Sequence, residues 1–331
     1  MPEPDVAVIL PYRDAVKYLP RCVNSIINQT FQNFELILIN DGSTDGSREF
    51  AESVRDPRIR IIDLPAAGLV AALNEGIFST KARYLALLDP YDTARPDRLE
   101  KQYHYFELHE DIEVVSSRVR YLAERAGKNL KPYIDWTNRI TRHEEIYNKR
   151  FVNSTVLHST LMFKRELINT YGSFEDGEFP EDYEILLRWM NEGVSFAKLD
   201  DELTEWHDDV QRLSRRHTKY NSEAASKIKI KFFSSWYRGY FRTPPDILLW
   251  GLKHKEKDWL AWLEKEGLNI AGYIDHDSHK SWYEDKPVFG IEEIPARTFI
   301  IFFMEQFDPG DIPGLLTEKG LEEGTDFITM G

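Results

Sequence analysis

The sequence predicts an α/β protein in which a mostly parallel sheet with helices on both faces is followed by a second, smaller α/β unit. Short apolar runs of strand length alternate with segments of helical spacing, first in the longer N-terminal part and again after Thr243-Pro244-Pro245. The runs are apolar throughout, as strands buried on both faces of a parallel sheet are. Alternation of strand and helix is typical of such sheets. We therefore divide the chain into residues 1–216, a helical linker at 217–245 and residues 246–331.

The elements of the N-terminal part follow from this pattern. Strands are predicted at residues 6–10, 36–39, 58–63, 84–88 and 112–117. Helices are predicted from apolar residues at helical spacing, at 15–29, through Phe50 and Val54, and at 68–80, 96–109 and 183–191.

Composition and charge disfavour several classes of protein. With 331 residues, 42% hydrophobic and 30% charged, the chain is an ordinary globular protein large enough for two domains. The formal net charge of −14 disfavours phosphate-driven binding to nucleic acid. Cys22, the single cysteine, excludes an internal disulfide and is interpreted as a core or surface residue in a reducing compartment. Because neither a membrane span of ~20 apolar residues nor a signal-peptide pattern is present, we expect a cytoplasmic protein, or one that reaches a membrane from its inner face.

Acidic residues follow three of the predicted strands. Asp41 follows the apolar run 36–39, within E-L-I-L-I-N-D-G-S-T-D-G-S at residues 35–47. Asp14 follows the first strand, and Asp89 and Asp92 follow the fourth. The carboxyl ends of parallel strands share one edge of the sheet, where open α/β sheets bind ligands. The alternative is that these acidic residues belong to unrelated helix caps and turns and do not form one site.

Phosphate binding at this edge is expected to involve a metal. Neither G-x-G-x-x-G nor a G-K-S/T loop occurs in the N-terminal part. Clustered carboxylates suit a hard cation, Mg²⁺ or Mn²⁺, that also binds diphosphate oxygens. Zinc is disfavoured because the His/Cys spacing it needs is missing.

Residues 246–331 repeat the α/β pattern on a smaller scale. Strands are predicted at 247–250, 269–274 and 299–304, with helices at 257–266 and 312–319. The turn after the first of these strands keeps one glycine, Gly251, although Asp275 stands where a ribose-binding acid would. We interpret this part as an accessory or assembly domain through which the protein could oligomerise. An NAD-dependent function is the less favoured alternative.

The segment at 220–242 combines basic and aromatic side chains in an otherwise acidic chain. These are Lys227, Lys229, Lys231, Arg238 and Arg242 among Phe232, Phe233, Trp236, Tyr237, Tyr240 and Phe241. We favour a helix that packs its aromatic residues and exposes its lysines. A segment lying in a membrane interface, useful for a lipid-linked acceptor, is the alternative.

Several motifs together resemble family 2 glycosyltransferases with the GT-A fold. They are V-A-V-I-L-P-Y-R-D, E-L-I-L-I-N-D-G-S-T-D-G-S, G-L-V-A-A-L-N-E-G-I, Y-L-A-L-L-D-P-Y-D-T-A-R-P-D-R-L, H-S-T-L-M-F-K-R, F-P-E-D-Y-E-I-L-L-R-W and E-W-H-D-D-V-Q-R-L-S. They follow the family's order and spacing over about residues 5–216. Residues 246–331 resemble the small Rossmann-like domain appended to some members. The resemblance implies a GT-A type nucleotide-diphospho-sugar transferase fold.

The same resemblance implies which residues form the site. Contacts to the nucleotide sugar are implied for Pro11, Tyr12, Asp14, Asp41, Asn74, Asp89 and His158. Asp182, beside Glu181, matches an E-D pair in which the aspartate is the general base, with an N-capping aspartate as the alternative. A divalent metal, Mn²⁺ or Mg²⁺, is implied at Asp89, Asp92 and Asp209.

Two positions depart from the family's pattern. Tyr91 stands where the second aspartate of the metal motif D-x-D belongs, and a phenol with a pKa of about 10 is a poor metal ligand at neutral pH. Asp92 would take its place. Asp209 stands where relatives often carry a histidine, with His207 as a nearby alternative. A weakened enzyme that still binds nucleotide is the competing interpretation.

The function expected from these residues is metal-assisted, inverting sugar transfer. The donor would be a nucleoside-diphosphate sugar, UDP-linked, and the acceptor a hydroxyl of a saccharide or lipid-linked molecule in cell-surface polysaccharide or glycoconjugate synthesis. A catalytically weakened nucleotide-sugar-binding or scaffolding protein is the alternative. A processive polysaccharide synthase is disfavoured because the Arg188-Trp189 pair lacks the glutamine of Q-x-x-R-W.

Overall fold

The chain forms two compact units. The computed structural model describes residues 3–125, 130–250, 256–275, 282–283, 285–304 and 312–331. The first unit consists of Met1–His143 and Val156–Tyr220, and the second of Glu144–Thr155 and Asn221–Gly331. Glu144–Thr155 therefore belongs to the second unit, although in the sequence it lies between the two parts of the first.

The described residues of the first unit form an eight-stranded sheet. Its strands are β1 (Val6–Tyr12), β2 (Phe34–Asp41), β3 (Ile59–Leu64), β4 (Tyr84–Leu87), β5 (Thr93–Ala94), β6 (Val114–Arg125), β7 (Met162–Lys164) and β8 (Phe196–Asp209). They lie in the order β3-β2-β1-β4-β7-β6-β8-β5. The first four of these are parallel, as are β6 and β8, whereas β7 and β5 run antiparallel to their neighbours. The predicted mostly parallel sheet is confirmed.

Helices connect these strands. Those of the first unit are α1 (Leu19–Ile27), α2 (Ser47–Ser53), α3 (Leu69–Phe78), α4 (Arg98–Leu108), α5 (Lys131–Arg139), α7 (Glu166–Tyr171), α8 (Glu181–Asn191) and α9 (Leu213–Arg216), while α6 (His143–Asn148) runs from the first unit into the second. Short 3₁₀ turns at His158–Thr160 and Thr218–Tyr220 also belong to the first unit.

The core of the first unit lies against β1, which is buried at every residue. Helix α3 approaches this strand closely at Gly76, where a Cβ atom would lie 2.8 Å from side-chain atoms of both Ile9 and Ile39. A larger residue at this position would force the helix away from the sheet. Cys22 of α1 packs in the same core, and burial raises the pKa of its thiol. The interpretation of Cys22 as a core residue is confirmed.

The apolar pattern did not predict β8. This strand reads F-A-K-L-D-D-E-L-T-E-W-H-D-D and pairs along most of its length with β6. Its last two carboxylates are buried with partners, since Asp208 is paired with Arg215 at 2.5 Å and Asp209 accepts the hydroxyl of Tyr18 at 2.7 Å. A strand stabilised through buried ion pairs and hydrogen bonds lacks the apolar run that signals the other strands.

The second unit has its own sheet, six-stranded among its described residues. Its strands are β9 (Asp246–Trp250), β10 (Ile270–Ile274), β11 (Trp282–Tyr283), β12 (Lys286–Phe289), β13 (Thr298–Phe303) and β14 (Phe327–Met330). They lie in the order β11-β12-β10-β9-β13-β14, and every neighbouring pair except β11 with β12 is parallel. Starting the count at β9, the parallel strands follow a 3-2-1-4-5 order, which is Rossmann-like. The predicted glycine-poor turn at 251–255 lies outside the described residues, whereas Asp275 is an exposed residue directly after β10.

The helices of the second unit are α10 (Ser222–Tyr240), α11 (Glu256–Lys265) and α12 (Ile312–Glu318). The aromatic residues Phe233, Trp236 and Tyr237 of α10 are buried. Their rings contact the ring of Phe299, with centroids 6.1, 6.0 and 5.2 Å away. Packing is therefore confirmed for these three aromatic side chains, whereas Tyr240 is 50% exposed, and peripheral membrane contact stays a prediction. Among the described helices, none is both long and apolar enough to span a bilayer.

One lysine of α10 does not follow the prediction of exposed lysines. Lys229 is buried, and its Nζ donates a hydrogen bond to the carbonyl of Val152 at 2.8 Å. Burial lowers the pKa of Lys229 to about 7. The side chain fits because its ammonium finds a backbone acceptor inside the unit.

Candidate active site

The carboxyl ends of β2, β1 and β4 lie side by side at one edge of the first sheet, because these strands are parallel neighbours. Tyr12 ends β1 and Asp41 ends β2, while Asp89 follows β4 after one intervening residue. The loops after these strands carry the acidic residues singled out in the sequence. This sheet edge is the place where a parallel α/β sheet binds a ligand.

Asp41 and Asp14 each brace a loop at this edge. The backbone N–H of Gly68 donates to both carboxylate oxygens of Asp41, at 3.0 and 3.2 Å, and the guanidinium of Arg13 lies 3.8 Å away. Asp14 has a positive φ of 46° and accepts the N–H of Thr44 at 2.8 Å. The two aspartates thus shape one wall of the edge through backbone contacts.

Pro11, Tyr12 and Asn74 are also predicted to contact the nucleotide sugar, and they differ in how far their polar atoms are already used within the protein. Pro11 is buried within β1. The hydroxyl of Tyr12 is buried without a hydrogen-bond partner among the described residues, and burial together with the charge of Asp63 raises its pKa. Asn74 uses both amide atoms on the backbone of Phe174, at 2.9 and 3.1 Å. The hydroxyl of Tyr12 is therefore unused among the described residues, whereas Asn74 braces the chain, and the donor contacts of Pro11, Tyr12 and Asn74 all stay predictions.

Asp92 is fully enclosed by partners. Its Oδ1 accepts the backbone N–H of His207 at 3.0 Å and Nη1 of Arg212 at 2.7 Å. Its Oδ2 accepts the hydroxyl of Ser159 at 2.5 Å and Nη2 of Arg212 at 3.0 Å. The side chain is 0% exposed. An ionised carboxylate has about four acceptor positions, so all those of Asp92 are in use.

Arg212 is the centre of this arrangement. Its side chain is 6% exposed, and its Nη2 lies 3.6 Å from the carboxylate of Asp89. The guanidinium also lies over the rings of Trp206 and Tyr91, at 4.3 and 5.5 Å from the centroids. Burial alone would lower the pKa of Arg212, but the carboxylates of Asp92 and Asp89 raise it overall. A permanently charged guanidinium therefore lies among the acidic residues of the edge.

Tyr91 links the same loop to the segment after β8. Its hydroxyl donates to the carbonyl of Gln211 at 3.1 Å, and its ring packs on that of Tyr18 with centroids 4.5 Å apart. Tyr18 in turn donates to Asp209, whose second oxygen accepts the N–H of Gln211 at 2.8 Å. Asp209 is thus directed toward α1 and its own turn.

These partners do not fit the metal site implied at Asp89, Asp92 and Asp209. In the part of the chain that the structure describes, no three His, Cys, Asp or Glu side chains are grouped so as to hold a metal ion. Asp92 has no free acceptor position and Asp209 is buried against Tyr18. Asp89 differs, because its side chain is 32% exposed and, among the described residues, one of its oxygens accepts a backbone N–H, that of Tyr91.

Glu181 and Asp182 are the first two residues of α8, after Pro180 at the N-cap position. Glu181 is buried and accepts Nζ of Lys219 at 2.8 Å and the hydroxyl of Tyr220 at 2.8 and 2.9 Å. Asp182 is partly buried, and its carboxylate accepts the N–H of Tyr183 at 2.9 Å. Because Pro180 is the N-cap, the alternative of an N-capping Asp182 is wrong.

The two carboxylates of α8 have different environments. Burial and then the charge of Glu181 raise the pKa of Asp182 to about 7, with Lys219 opposing the shift. Burial and the charges of both carboxylates raise the pKa of Tyr220, so its phenol stays protonated and donates. Asp182 is therefore a carboxylate whose ionisation is poised near neutral pH, as a general base requires.

His158 lies near the same group. It begins the 3₁₀ turn that also carries Ser159, the partner of Asp92. Burial lowers the pKa of His158 to about 4, so the ring is neutral at pH 7. Its Nδ1 has no hydrogen-bond partner among the described residues. A neutral imidazole with an unused nitrogen can bind a polar group of a ligand.

Four residues of this site were not singled out from the sequence: Ser159, Arg212, Lys219 and Tyr220. Arg212 falls inside a motif of the resemblance, but its partner Asp92 is 120 positions away in the chain. Lys219 and Tyr220 are in the segment interpreted as a linker. The available signal was indirect, since a buried carboxylate requires a cationic or hydrogen-bonding partner somewhere in the chain.

The pH dependence of activity should report Asp182. Because a base acts when ionised, we expect kcat/KM to rise with pH through about 7, the pKa of this group. In Glu181→Gln, the loss of the neighbouring negative charge lowers the pKa of Asp182, so the acidic limb should move to lower pH. A pH profile of both proteins checks this. An unchanged limb would mean that another group controls it.

Comparison with known proteins gives one family. The family model described as glycosyl transferase family 2 matches residues 7–172. An O-antigen biosynthesis glycosyltransferase of Escherichia coli, WbnJ, is 32% identical over 192 residues, covering 56% of this chain and 72% of the relative.

Two solved structures share the fold. Residues 1–349 of TarS from S. aureus, crystallised with UDP-GlcNAc, match with a TM-score of 0.55 at 15% identity, over 79% of this chain and 80% of that one. The mannosyltransferase PcManGT from Pyrobaculum calidifontis, in complex with GDP-Man and Mn²⁺, matches with a TM-score of 0.51 at 17% identity, over 80% and 70%. These likenesses show that the chain has a GT-A type fold.

Proposed function

Because the chain belongs to glycosyl transferase family 2, we propose that it transfers a sugar from a UDP-linked donor to an acceptor hydroxyl by a single displacement with inversion. The observation that carries this proposal is the poised Asp182 at the start of α8, beside Glu181, which is bound by Lys219 and Tyr220. Glu181 and Asp182 match the E-D pair of the family, and sugar transfer with inversion needs one general base. That base accepts the proton of the attacking hydroxyl as the new bond forms at the anomeric carbon.

The donor site is proposed at the edge formed by β2, β1 and β4. The unpartnered hydroxyl of Tyr12 and the carboxylate of Asp41 are suited to polar groups of a nucleotide. UDP is favoured as the donor nucleotide because Asp41 matches a position that contacts the nucleotide in the family. One structural neighbour binds UDP-GlcNAc and another GDP-Man, so the base and the sugar are both to be tested.

The acceptor is proposed to be a saccharide or a lipid-linked saccharide. WbnJ is described as an O-antigen biosynthesis enzyme, which supports an acceptor of the same general class here. A role in cell-surface polysaccharide or glycoconjugate assembly at the inner face of the membrane follows. The second unit would act as an accessory or assembly domain.

A panel of nucleotide sugars tests the donor. We expect a UDP-sugar to raise the melting temperature, because a ligand at about 100 times its Kd stabilises the folded state by about 2.7 kcal/mol. GDP-sugars and free sugars should have little effect. UDP release in the presence of a mixed oligosaccharide acceptor, followed by mass spectrometry, then tests transfer. Failure of every nucleotide and nucleotide sugar to bind would contradict the proposed function.

A catalytically weakened binding protein is the second candidate. Tyr91 favours it, because a tyrosine replaces an acidic residue of the family's metal motif. Its expected signature is donor binding in the thermal assay without UDP release or product under any condition. Product formation would exclude it.

A further inference from the structure

We propose that the acidic sheet edge carries its own cation, Arg212, and binds the diphosphate of the donor without a divalent metal. The inference rests on the proposed donor site. It concerns the trio of Asp89, Asp92 and Arg212, together with Tyr91. The contacts of these four residues differ from those that a metal site would need.

The carboxylate oxygens of Asp92 are not available to a metal ion. A divalent cation such as Mg²⁺ or Mn²⁺ requires carboxylate oxygens that are free to turn toward it. Asp92 makes four hydrogen bonds, two of them to the two terminal nitrogens of Arg212 at 2.7 and 3.0 Å. To bind a metal, Asp92 would have to leave a buried bidentate ion pair. Removing one partner from such a pair is strongly destabilising.

Arg212 offsets part of the negative charge at this sheet edge. Asp89 and Asp92 bring two negative charges to an edge where a diphosphate would bind. Arg212 lies 3.6 Å from the former and 2.7 Å from the latter, which reduces the sum of the three side chains to one negative charge. A second guanidinium, that of Arg21, donates to the carbonyl of Tyr91 at 2.9 Å. Arg212 therefore offsets one of the two negative charges that a diphosphate would meet, and Arg21 places a second positive charge on the same loop.

Tyr91 connects the loop after β4 to the segment that carries Arg212. The phenol takes the place of the missing acidic residue, where it packs on Tyr18 and donates to the carbonyl of Gln211 at 3.1 Å. These contacts join the loop after β4 directly to the turn that carries Arg212. The loop and the turn are held together by the protein alone, so no bridging ion is required.

The remaining alternative is a metal held by Asp89 with the diphosphate. Asp89 is the partly exposed carboxylate of the trio, and one of its oxygens accepts the N–H of Tyr91 at 3.0 Å. One protein oxygen plus phosphate oxygens could bind Mg²⁺, which often keeps several waters. This alternative predicts tighter binding of UDP when metal is added, so it is an outcome of the experiment.

The test is calorimetric titration of UDP into the full chain, after treatment with EDTA and again with Mn²⁺ present. For the wild-type protein we expect the two dissociation constants to agree, with a difference well below the tenfold that corresponds to about 1.4 kcal/mol. Tyr91→Asp should create a metal response of about tenfold or more, because it adds an unpaired carboxylate beside Asp89. Tyr91→Asn is the matched control, since it loses the same ring contacts without gaining charge, and it should show no metal response.

The outcomes separate this inference from the proposed function. An Mn²⁺-dependent gain of tenfold or more in the wild-type protein would overturn the inference and leave the donor site in place. An equal response of the Asp and Asn variants would also count against it. Failure of UDP and GDP to bind with or without Mn²⁺ would overturn the donor site itself. Electron paramagnetic resonance of Mn²⁺ gives a second readout, in which the Tyr91→Asp protein with UDP, and not the wild type, should retain additional bound metal.

Discussion

Replacing Asp182 with asparagine is expected to lower the rate of sugar transfer by about 10²–10⁴-fold, the usual contribution of a general base. The amide keeps the size of the side chain but cannot accept the proton of the acceptor hydroxyl. Because the donor edge is formed by other loops, affinity for UDP should be unchanged. Steady-state transfer and UDP titration on the same preparation measure the two effects.

The matched control for this variant is Asp176→Asn. Asp176 lies in the exposed loop before α8, where its carboxylate accepts the N–H of the next residue. The change removes the same charge nearby without touching the proposed base, so activity should stay at the wild-type level. Wild-type turnover in Asp182→Asn would exclude this residue as the base. Loss of UDP binding in that variant would point to a folding defect.

Replacing Arg212 with methionine is expected to destabilise the first unit by about 3–5 kcal/mol, the range for breaking a buried ion pair. Methionine keeps much of the volume of the side chain, but it leaves Asp92, at 0% exposure, without its guanidinium partner. Urea denaturation measures the loss. Adding Asp92→Asn to this variant should recover part of it, because a neutral amide costs less to bury than an unpaired carboxylate.

Arg216→Met provides the control for the stability experiment. Arg216 is an exposed arginine at the end of α9, the short helix whose N-cap residue is Arg212, and it donates a hydrogen bond to the side chain of Gln211 at 3.1 Å. A change of within about 0.5 kcal/mol is expected for such a surface residue. If Arg212→Met were no less stable than Arg216→Met, the ion pair with Asp92 would contribute less to the free energy of unfolding than its burial indicates.

The sequence was informative where one physical signal dominates. Each of β1, β2 and β4 is an apolar run because both faces of the strand are buried, and the predicted bounds differ from the observed ones by a few residues. The strand β8 was missed because its burial is achieved by pairing acidic residues with arginine and tyrosine. Such pairing leaves a polar sequence that resembles a surface loop.

The site was predictable residue by residue but not contact by contact. Motifs identified Glu181 and Asp182, yet the partners Lys219 and Tyr220 lie in a 3₁₀ turn beyond the matched motifs. Likewise, Asp92 looked like a metal ligand because its motif gives the type of side chain and not the direction of its oxygens. The direction is set by Arg212, at a separation of 120 residues that sequence periodicity cannot connect.

The segment from His207 to Tyr220 contacts residues of the proposed donor edge and the neighbour of the proposed base. Its first part holds the loop at the donor edge, through the backbone N–H of His207 and the side chain of Arg212 on Asp92. Its last part holds Glu181 beside the proposed base, through Lys219 and Tyr220. A displacement of this one stretch of backbone would release both sets of contacts together. With the donor edge and the base as proposed, substitutions in this stretch are expected to change UDP affinity and the rate of transfer together.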